Sequence, residues 1–260
     1  SHHKLSVPMN PVCSDIPIDR QCQVIASHDA GIWAFEKAPG VLSHPNKGNG
    51  GKRTRSLLDA DYDSEEEAYL WKDEQGKTNK IFLLHRLDSP TSGVILGAST
   101  KKLANCLKDA FAQREVRKTY HAIVIPSGRN FGNETWKDNL IEKRDKGKIR
   151  VSRGKGPIAI TKAHMERERS GLYGLNLLKL VPQTGRTHQL RVQCALRRMP
   201  ILGDKSYGNF SLNRKFARAA KIDRLFLHAT NISFSVEFEG ENLDFTAEAP
   251  LPRSFGKLLS

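Results

Sequence analysis

The sequence predicts an α+β protein with a mixed, largely antiparallel central sheet flanked by helices and loops. Strand-like apolar segments follow one another along most of the chain, few segments show helical spacing, and turns rich in Gly, Pro and Asn separate them. We see no internal repeat and no second hydrophobic unit of domain size. We therefore expect one domain over residues 24–254, with an extension over 1–23 and a tail over 255–260.

The first elements are short. Residues 24–44 indicate a strand followed by a turn at Pro39-Gly40. Residues 46–80 form an expected excursion, in which a Gly-rich basic stretch precedes an acidic one, a pattern typical of solvated surface. Residues 68–84 indicate a hairpin with a polar turn.

A helix is expected after Ser99 or Thr100, either of which can cap it. The residues that recur at helical spacing behind this cap are Leu103, Leu107, Ala110 and Phe111. Residues 126–157 are rich in Gly, Lys and Arg and indicate a second excursion. A second helix is expected over 187–196. Further strands are expected over 120–125, 158–166, 173–181, 225–238 and 243–247.

The charge balance is strongly basic. The chain has 42 Lys and Arg against 28 Asp and Glu, a net charge of +14. Such an excess favours a polyanionic partner such as nucleic acid, although a merely basic protein is the alternative. No apolar run is long enough for a membrane span. Ser1-His2-His3 could be a tag remnant.

The cysteines do not indicate a metal site. Cys13, Cys22, Cys106 and Cys194 are scattered, with neither a CxxC pair nor Cys/His ligand spacing. With no export signal, we expect them to be reduced and the protein to be cytoplasmic. Neither a phosphate-binding Gly loop nor a carboxylate cluster is present, so we expect no cofactor and no metal.

One loop carries the most informative residues. The stretch His85-Arg86-Leu87-Asp88-Ser89-Pro90-Thr91-Ser92-Gly93 lies between two apolar strands, where a rigid scaffold can present a reactive group. It places Asp88 among cationic and hydroxyl neighbours. A turn aspartate that caps local amides is the alternative.

Two further stretches carry candidate residues. In Gln183 to Arg191, the arginines Arg186 and Arg191 could bind phosphate or a carboxylate, while His188 and Gln189 could simply pack or cap. In Arg117-Lys118-Thr119-Tyr120, an aromatic residue at a basic strand end suits base stacking, although a half-buried strand tyrosine is equally common.

Taken together, these stretches resemble the RluA family of RNA pseudouridine synthases. The Asp88 stretch resembles the family's catalytic motif, Lys118-Thr119-Tyr120 its tyrosine motif, and the run from Gly185 to Val192 its carboxy-terminal motif. The segments that extend this similarity are Pro200 to Asp204, Tyr207-Gly208, Arg224 to Ala229 and Pro250 to Pro252. The resemblance covers residues 24 to 254.

The resemblance implies a chemistry that one carboxylate can perform. Asp88 would act as nucleophile or general base so that uracil detaches, rotates and rejoins through carbon. The target base must leave its stack, and Arg86 would occupy the gap. Tyr120 would stack on the uracil, Leu190 would form an apolar wall, and Arg191 would pair with Asp88 and keep it ionised.

The resemblance also implies a partner. We expect a monomer that binds structured RNA, with no membrane and no small-molecule cofactor. The candidate RNA contacts are Arg86, Lys118, Arg186, His188 and Gln189. The compact form, without the S4 domain of some members, resembles the small members that act on tRNA. We therefore favour tRNA as the substrate, and ribosomal RNA remains the alternative.

The sequence departs from the family at two places. The first motif usually reads Lys-Pro-x-Gly, whereas here it is Lys37-Ala38-Pro39-Gly40, and the 46–80 excursion exceeds the usual link. Two other functions are possible. A non-catalytic RNA-binding protein would be expected to lose one of Asp88, Tyr120 and Arg191, and a base-removing glycosylase would release free uracil.

Overall fold

The computed structural model describes residues 15–46 and 54–260. In these ranges the chain forms twelve strands and four helices. They group into two compact units, each assembled from separate stretches of sequence. Unit 1 contains the described residues up to Glu115 together with Ser233–Ala249, and unit 2 contains Val116–Ile232 with Pro250–Ser260. The sequence predicted a single domain and gave no indication of this division.

Unit 1 is built on antiparallel strands. β6 pairs with β5 and β2, β2 pairs with β1, and β5 continues through β4 to β3. Every residue of β6 is buried, as its uninterrupted apolar character requires. The elements are β1 (Gln23–His28), β2 (Ile32–Lys37), β3 (Asp61–Asp63), β4 (Ala68–Lys72), β5 (Thr78–Leu83), β6 (Ser92–Ala98), α1 (Lys101–Ala112), the later part of β11 (Leu227–Phe238) and β12 (Glu241–Glu248).

The predicted first helix and first hairpin are both confirmed. The Thr100 side chain accepts a hydrogen bond from the Leu103 amide at the start of α1, and the predicted positions Leu103, Leu107 and Ala110 are buried. β4 and β5 form the hairpin expected over 68–84. Within the predicted strand of residues 24–44, the chain turns at Gly31 and forms two strands, β1 and β2.

Unit 2 contains the strand order β11-β7-β10-β9-β8, with the early part of β11 at one end. Its apolar core gathers residues of β7, β10, the helices and the segment around Ile201. The elements are β7 (Arg117–Val124), β8 (Asn133–Asp145), β9 (Lys148–Ser170), β10 (Leu175–Pro182), α2 (Gln189–Leu196), α3 (Phe210–Ala220) and α4 (Arg253–Leu259).

The excursion predicted over 126–157 is in large part a β-hairpin. β8 and β9 pair in register from Asp145↔Lys148 down to Asn133↔His164, with a bulge opposite Leu140. Two of the glycines that suggested a loop, Gly154 and Gly156, lie inside β9. A Cβ at Gly156 would come within 1.8 Å of the Leu140 carbonyl oxygen, so the bulge itself requires glycine.

Most of the tail predicted over 255–260 belongs to α4, which ends at Leu259. Phe255, Leu258 and Leu259 are buried and join the core of unit 2. The helix α3 was not predicted either, and it buries none of its residues fully. None of the helices in the described part of the chain has the length and apolar character needed to cross a membrane.

Candidate active site

Asp88 lies in the loop that connects β5 to β6 in unit 1. Both strands are buried where the loop leaves and re-enters them, as predicted, and Asp88 itself is half-buried. The Thr91 amide donates to the Asp88 carbonyl oxygen at 2.9 Å, which closes a tight turn after the aspartate. The loop therefore has little backbone freedom around its carboxylate.

The buried side chain of Ser43 fixes the residue that precedes Asp88. Its hydroxyl donates to the Leu87 carbonyl oxygen at 2.8 Å and accepts from the Leu87 amide at 3.0 Å. Both polar groups of the Leu87 backbone are thus satisfied by one side chain 44 residues away in sequence. Sequence reasoning missed Ser43, since an isolated serine carries no pattern.

The residue after Asp88 is fixed by a buried ammonium group. Lys37 is fully buried, and its Nζ donates to the carbonyl oxygens of Ala38 at 2.9 Å, Val41 at 2.6 Å and Ser89 at 2.9 Å. The Gly40 amide donates to the same Ser89 oxygen at 2.7 Å. Such contacts offset the cost of burying a charge. The motif Lys37-Ala38-Pro39-Gly40 therefore braces the Asp88 loop.

Arg86 is exposed and points its guanidinium at an imidazole. Its Nη1 lies 2.9 Å from Nε2 of His44, whose Nδ1 lies 2.9 Å from the Pro45 carbonyl oxygen. The neighbouring His85 side chain accepts from the Leu96 amide and stacks on Phe111. Of the two residues before Leu87, Arg86 is thus exposed at the surface, whereas His85 is held by contacts within unit 1.

In unit 2, Tyr120 and Lys118 lie on β7. Tyr120 is half-buried, packs against the core and is opposite Leu180 of β10. The ammonium nitrogen of Lys118 lies 3.6 Å from the position that a Cβ on Gly185 would occupy, so Lys118 borders the Gln183–Arg191 stretch. Burial lowers the pKa of Lys118. The structure thus brings two of the predicted stretches together within one unit.

Gln189 holds the Gln183–Arg191 stretch in shape. Its side chain is buried, its oxygen accepts from the Arg186 amide and the Thr184 hydroxyl, and its nitrogen donates to the Ile160 carbonyl oxygen and the Thr161 hydroxyl. These contacts favour the packing alternative over the predicted RNA contact. His188 adopts a left-handed conformation at the start of α2, and its Nδ1 lies 2.7 Å from the Tyr207 hydroxyl.

Arg186 keeps an exposed guanidinium although one of its donors is used. Its Nε donates to the Ile158 carbonyl oxygen at 3.1 Å, which anchors the side chain across β9. An exposed, anchored guanidinium is well suited to bind a phosphate. The RNA contact predicted for Arg186 stays a prediction.

Arg191 is buried against a carboxylate of its own unit. Its Nε and Nη2 donate to the two oxygens of Asp204, at 3.0 and 2.8 Å, and the guanidinium lies 5.3 Å from the centre of the Tyr207 ring. The Asp204 carboxylate also accepts from the amides of Ser206 and Tyr207. Sequence reasoning assigned Asp204 no task, and the pairing of Arg191 with Asp88 stays a prediction.

The pKa of Asp204 reflects these contacts. Burial alone raises the pKa, but the hydrogen bonds and positive charge of Arg191, with the two amides, lower it below its ordinary value. Leu190, beside Arg191 in α2, is buried in the apolar core. In the described ranges, no three His, Cys, Asp or Glu side chains are grouped so that they could hold a metal ion.

Comparison with known proteins identifies similar chains. The family model described as RNA pseudouridylate synthase matches residues 31–196. The tRNA pseudouridine synthase C of Salmonella typhi is 34% identical over 230 residues, covering 84% of this chain and 82% of that protein. The ribosomal large subunit pseudouridine synthase C of Rickettsia bellii is 35% identical over 234 residues, covering 88% of this chain and 69% of that protein.

Solved structures show the same fold at lower sequence identity. Human RNA pseudouridylate synthase domain containing 4 superposes with a TM-score of 0.58 at 22% identity and covers 90% of this chain and 92% of that one. Human RNA pseudouridylate synthase domain containing 1 gives a TM-score of 0.61 at 20% identity and covers 90% of this chain and 85% of that one. The predicted α+β class with a largely antiparallel sheet is thereby confirmed.

Proposed function

The chain belongs to the RNA pseudouridylate synthase family, and on that premise we propose that it converts uridine to pseudouridine in tRNA through Asp88. Family membership makes it an RNA pseudouridine synthase, an isomerase. The choice of carboxylate, its mechanism and the choice of RNA are the parts that we propose.

The observation that carries the proposal is the bracing of the Asp88 loop. The backbone on one side of the aspartate is held by Ser43, and on the other side by Lys37 and Gly40. A reactive group positioned by a rigid scaffold loses little entropy when it meets its substrate. A turn aspartate needed only for local capping would not require a buried lysine behind it.

The chemistry rearranges one nucleoside. Asp88, as nucleophile or general base, promotes cleavage of the bond between ribose C1′ and uracil N1. The uracil rotates, C1′ bonds to C5, and the hydrogen on C5 is released to solvent while N1 gains a proton. Atoms balance without an oxidant or reductant, which fits the expectation that no cofactor takes part.

On the basis of the family resemblance, we propose roles for three further residues. Tyr120 stacks on the uracil, Leu190 provides an apolar wall and Arg191 orients Asp88. The Asp204 pair uses two of the five N–H donors of the Arg191 guanidinium, and it fixes the plane of that group. This orientation supports a role for Arg191 in positioning a carboxylate.

RNA binding is proposed to use the exposed guanidinium groups of Arg86 and Arg186 and the partly buried ammonium group of Lys118. Arg86 fills the gap left by the flipped base, while Arg186 and Lys118 bind phosphates, assisted by His188. For Gln189 we propose instead that it shapes the loop, which its buried hydrogen bonds support. The net charge of +14 adds affinity that does not depend on sequence.

The test uses the replacement Asp88→Asn, which keeps the shape of the side chain. We expect release of tritium from RNA labelled at uridine C5 to fall to background, while RNA binding persists, because only the reacting group is changed. Asp109→Asn, at an exposed position of α1, is the matched control and should release tritium at the wild-type rate. Release by Asp88→Asn at a near wild-type rate would remove the central claim.

The same reaction separates the other functions. Chromatography of the products should show pseudouridine and no free uracil, whereas a glycosylase would release uracil, and a binding protein would do neither. Sequencing of RNA from a deletion strain after carbodiimide treatment identifies the target. The tRNA proposal is supported by relatives named as tRNA enzymes, while the Rickettsia relative keeps ribosomal RNA as the second candidate.

A further inference from the structure

A stack of side chains in unit 1 leads from β3 to the Asp88 loop. The rings of Tyr62 and His44 lie parallel, 4.8 Å apart with an angle of 8° between their planes. His44 then accepts a hydrogen bond from the exposed guanidinium of Arg86, two residues before Asp88. We call Tyr62, His44 and Arg86 the arginine stack.

The hydrogen bonds of His44 identify its tautomer. Arginine is only a donor, so Nε2 of His44 must be unprotonated and accept from Arg86. Its Nδ1 must then carry the proton, which it donates to the Pro45 carbonyl oxygen at 2.9 Å. Both ring nitrogens are therefore satisfied only in the tautomer with hydrogen on Nδ1, with the ring facing Arg86 in this orientation.

The β3–β4 hairpin supports Tyr62, which stacks on the face of the His44 ring. Tyr62 is paired across the hairpin with Tyr69, whose ring it meets edge-on at 5.1 Å. Tyr69 is fully buried, and its hydroxyl donates to the Ser43 carbonyl oxygen at 2.6 Å. The hairpin is thus joined to residues 43 and 44 by both tyrosines.

Charged groups near Tyr62 act on the pKa of its phenol. Burial, then the Glu67 carboxylate, raise the pKa of the Tyr62 phenol, while the positive charge of Arg86 opposes them and Asp63 adds to the rise. The phenol therefore stays neutral near pH 7 and stacks as an uncharged ring. Tyr62 is half-buried and Arg86 exposed, so the stack ends at solvent.

We propose that Tyr62 and His44 are positioning residues that hold the Arg86 guanidinium ready to contact the RNA. The contact with His44 uses one Nη1 donor and sets the direction of the side chain. Less rotamer freedom is then lost when Arg86 enters the gap left by the flipped base, a step that follows RNA binding. The β3–β4 hairpin is then part of the active machinery, not a spacer. This inference rests on the proposed role of Arg86 in the enzyme.

The first experiment measures single-turnover tritium release from total tRNA labelled with 5-tritiated uridine in cells that lack this enzyme. We expect Tyr62→Ser to slow release about three- to ten-fold, the loss expected for one ring stack, with RNA affinity changed less than about two-fold. Tyr62→Phe keeps the ring and should restore most of the rate. Asp61→Ser, an exposed change on the same strand, is the matched control.

An equal rate of release for Tyr62→Ser and Asp61→Ser would overturn the inference. A Tyr62→Phe variant that releases tritium as slowly as Tyr62→Ser would overturn it as well.

The second experiment asks whether Tyr62 acts through Arg86. In an Arg86→Met background, Tyr62→Ser should cause no further slowing, because there is no guanidinium left to position. The full Tyr62 effect in that background would overturn the inference while leaving the catalytic role of Asp88 intact.

A third measurement does not depend on activity. In ¹⁵N-histidine-labelled protein, with the His44 signal assigned from His44→Gln, Nε2 should be unprotonated in the wild type. Arg86→Met should move His44 towards the Nε2–H tautomer, and Tyr62→Ser should do so partially. If Arg86→Met leaves the His44 tautomer unchanged, the arginine stack is refuted, whether or not the protein modifies RNA. If the tautomer shifts as expected but the protein releases no tritium, the result counts against the proposed enzyme function alone.

Discussion

Arg191 and Asp204 form a buried ion pair with two parallel hydrogen bonds. The side chain of Asp204 is fully buried and that of Arg191 nearly so. A buried ion pair of this kind stabilises the fold little more than apolar residues of similar volume would. Removal of one partner is costly, however, because it leaves the other charge buried without compensation. Arg191 therefore has a structural task beside its proposed catalytic one, and the two must be measured separately.

We expect Arg191→Met to lower the free energy of unfolding by about 3–5 kcal/mol, because the Asp204 carboxylate would stay buried without its guanidinium. Urea denaturation followed by circular dichroism measures this loss. If the proposed pairing with Asp88 holds, the folded variant should also turn over slowly at saturating RNA, with RNA affinity changed only a few-fold. Normal saturated turnover with weakened binding would instead make Arg191 a phosphate anchor.

The stability contributed by Asp204 should depend on pH. Its pKa is lowered in the folded protein below the ordinary value of 3.8, so its contribution is fully present above that value and is lost as the pH falls through the folded pKa. The stability difference between the wild type and Asp204→Asn should therefore shrink on acidification below about pH 4. A difference that stays constant down to pH 2.5 would show that the ion pair contributes nothing to it.

At the scale of elements, α4 is the least expected feature. It has only seven residues, yet Phe255 lies 5.4 Å from Phe226, and the Arg224 guanidinium lies 5.2 Å from the Phe255 ring. Gly171 lets the helix approach closely, since a Cβ there would come within 2.1 Å of the Leu258 carbonyl oxygen. These contacts make the end of the described chain part of the core of unit 2.

Phe255→Ala should lower the free energy of unfolding by about 3–5 kcal/mol, since it removes a buried aromatic ring and leaves a cavity. Lys257→Ala, on the exposed face of the same helix, should change it by less than about 0.5 kcal/mol. Thermal and urea unfolding of both variants check the expectation. Equal, small effects would mean that α4 is only loosely attached.

The sequence predicted some elements and missed others for identifiable reasons. α1 was predicted because its cap and its apolar spacing are both local. The β8–β9 hairpin was missed because its inward positions include Asp138, whose carboxylate accepts from Arg153, Gln193 and Arg197. An inward carboxylate with distant partners breaks the apolar alternation on which strand prediction depends.

At the scale of the whole molecule, the charge of +14 raises the question of which cations contact RNA. The basic stretch over 46–55 holds four cations among glycines, of which Lys47, Lys52 and Arg53 lie outside the described residues. Arg55 is described, and its guanidinium forms two hydrogen bonds with the Asp19 carboxylate. Arg55 therefore supports the fold, and within this stretch we propose Lys47, Lys52 and Arg53 as RNA contacts.

We expect joint replacement of Lys47, Lys52 and Arg53 by glutamine to weaken RNA binding and flatten its salt dependence. Each lost phosphate contact should reduce the slope of log K against log salt by about 0.7–0.9. The matched control is glutamine at Lys101, Lys102 and Lys108 of α1, which are paired with glutamates. The control changes net charge equally, so a similar slope in both variants would mean that the stretch is a spacer.

The sequence by itself determined the family, the choice of Asp88 as the proposed catalytic carboxylate and the basic character. Those depend on contiguous motifs and composition, which folding does not alter. The tertiary structure alone decided what surrounds the motifs. Ser43 holds Leu87 across 44 residues, His44 holds Arg86 across 42, and Lys37 holds Ser89 across 52. Such partners meet because strand pairing brings distant backbone segments together, and buried polar groups must find hydrogen-bond partners there. No local sequence pattern indicates which residues these partners will be.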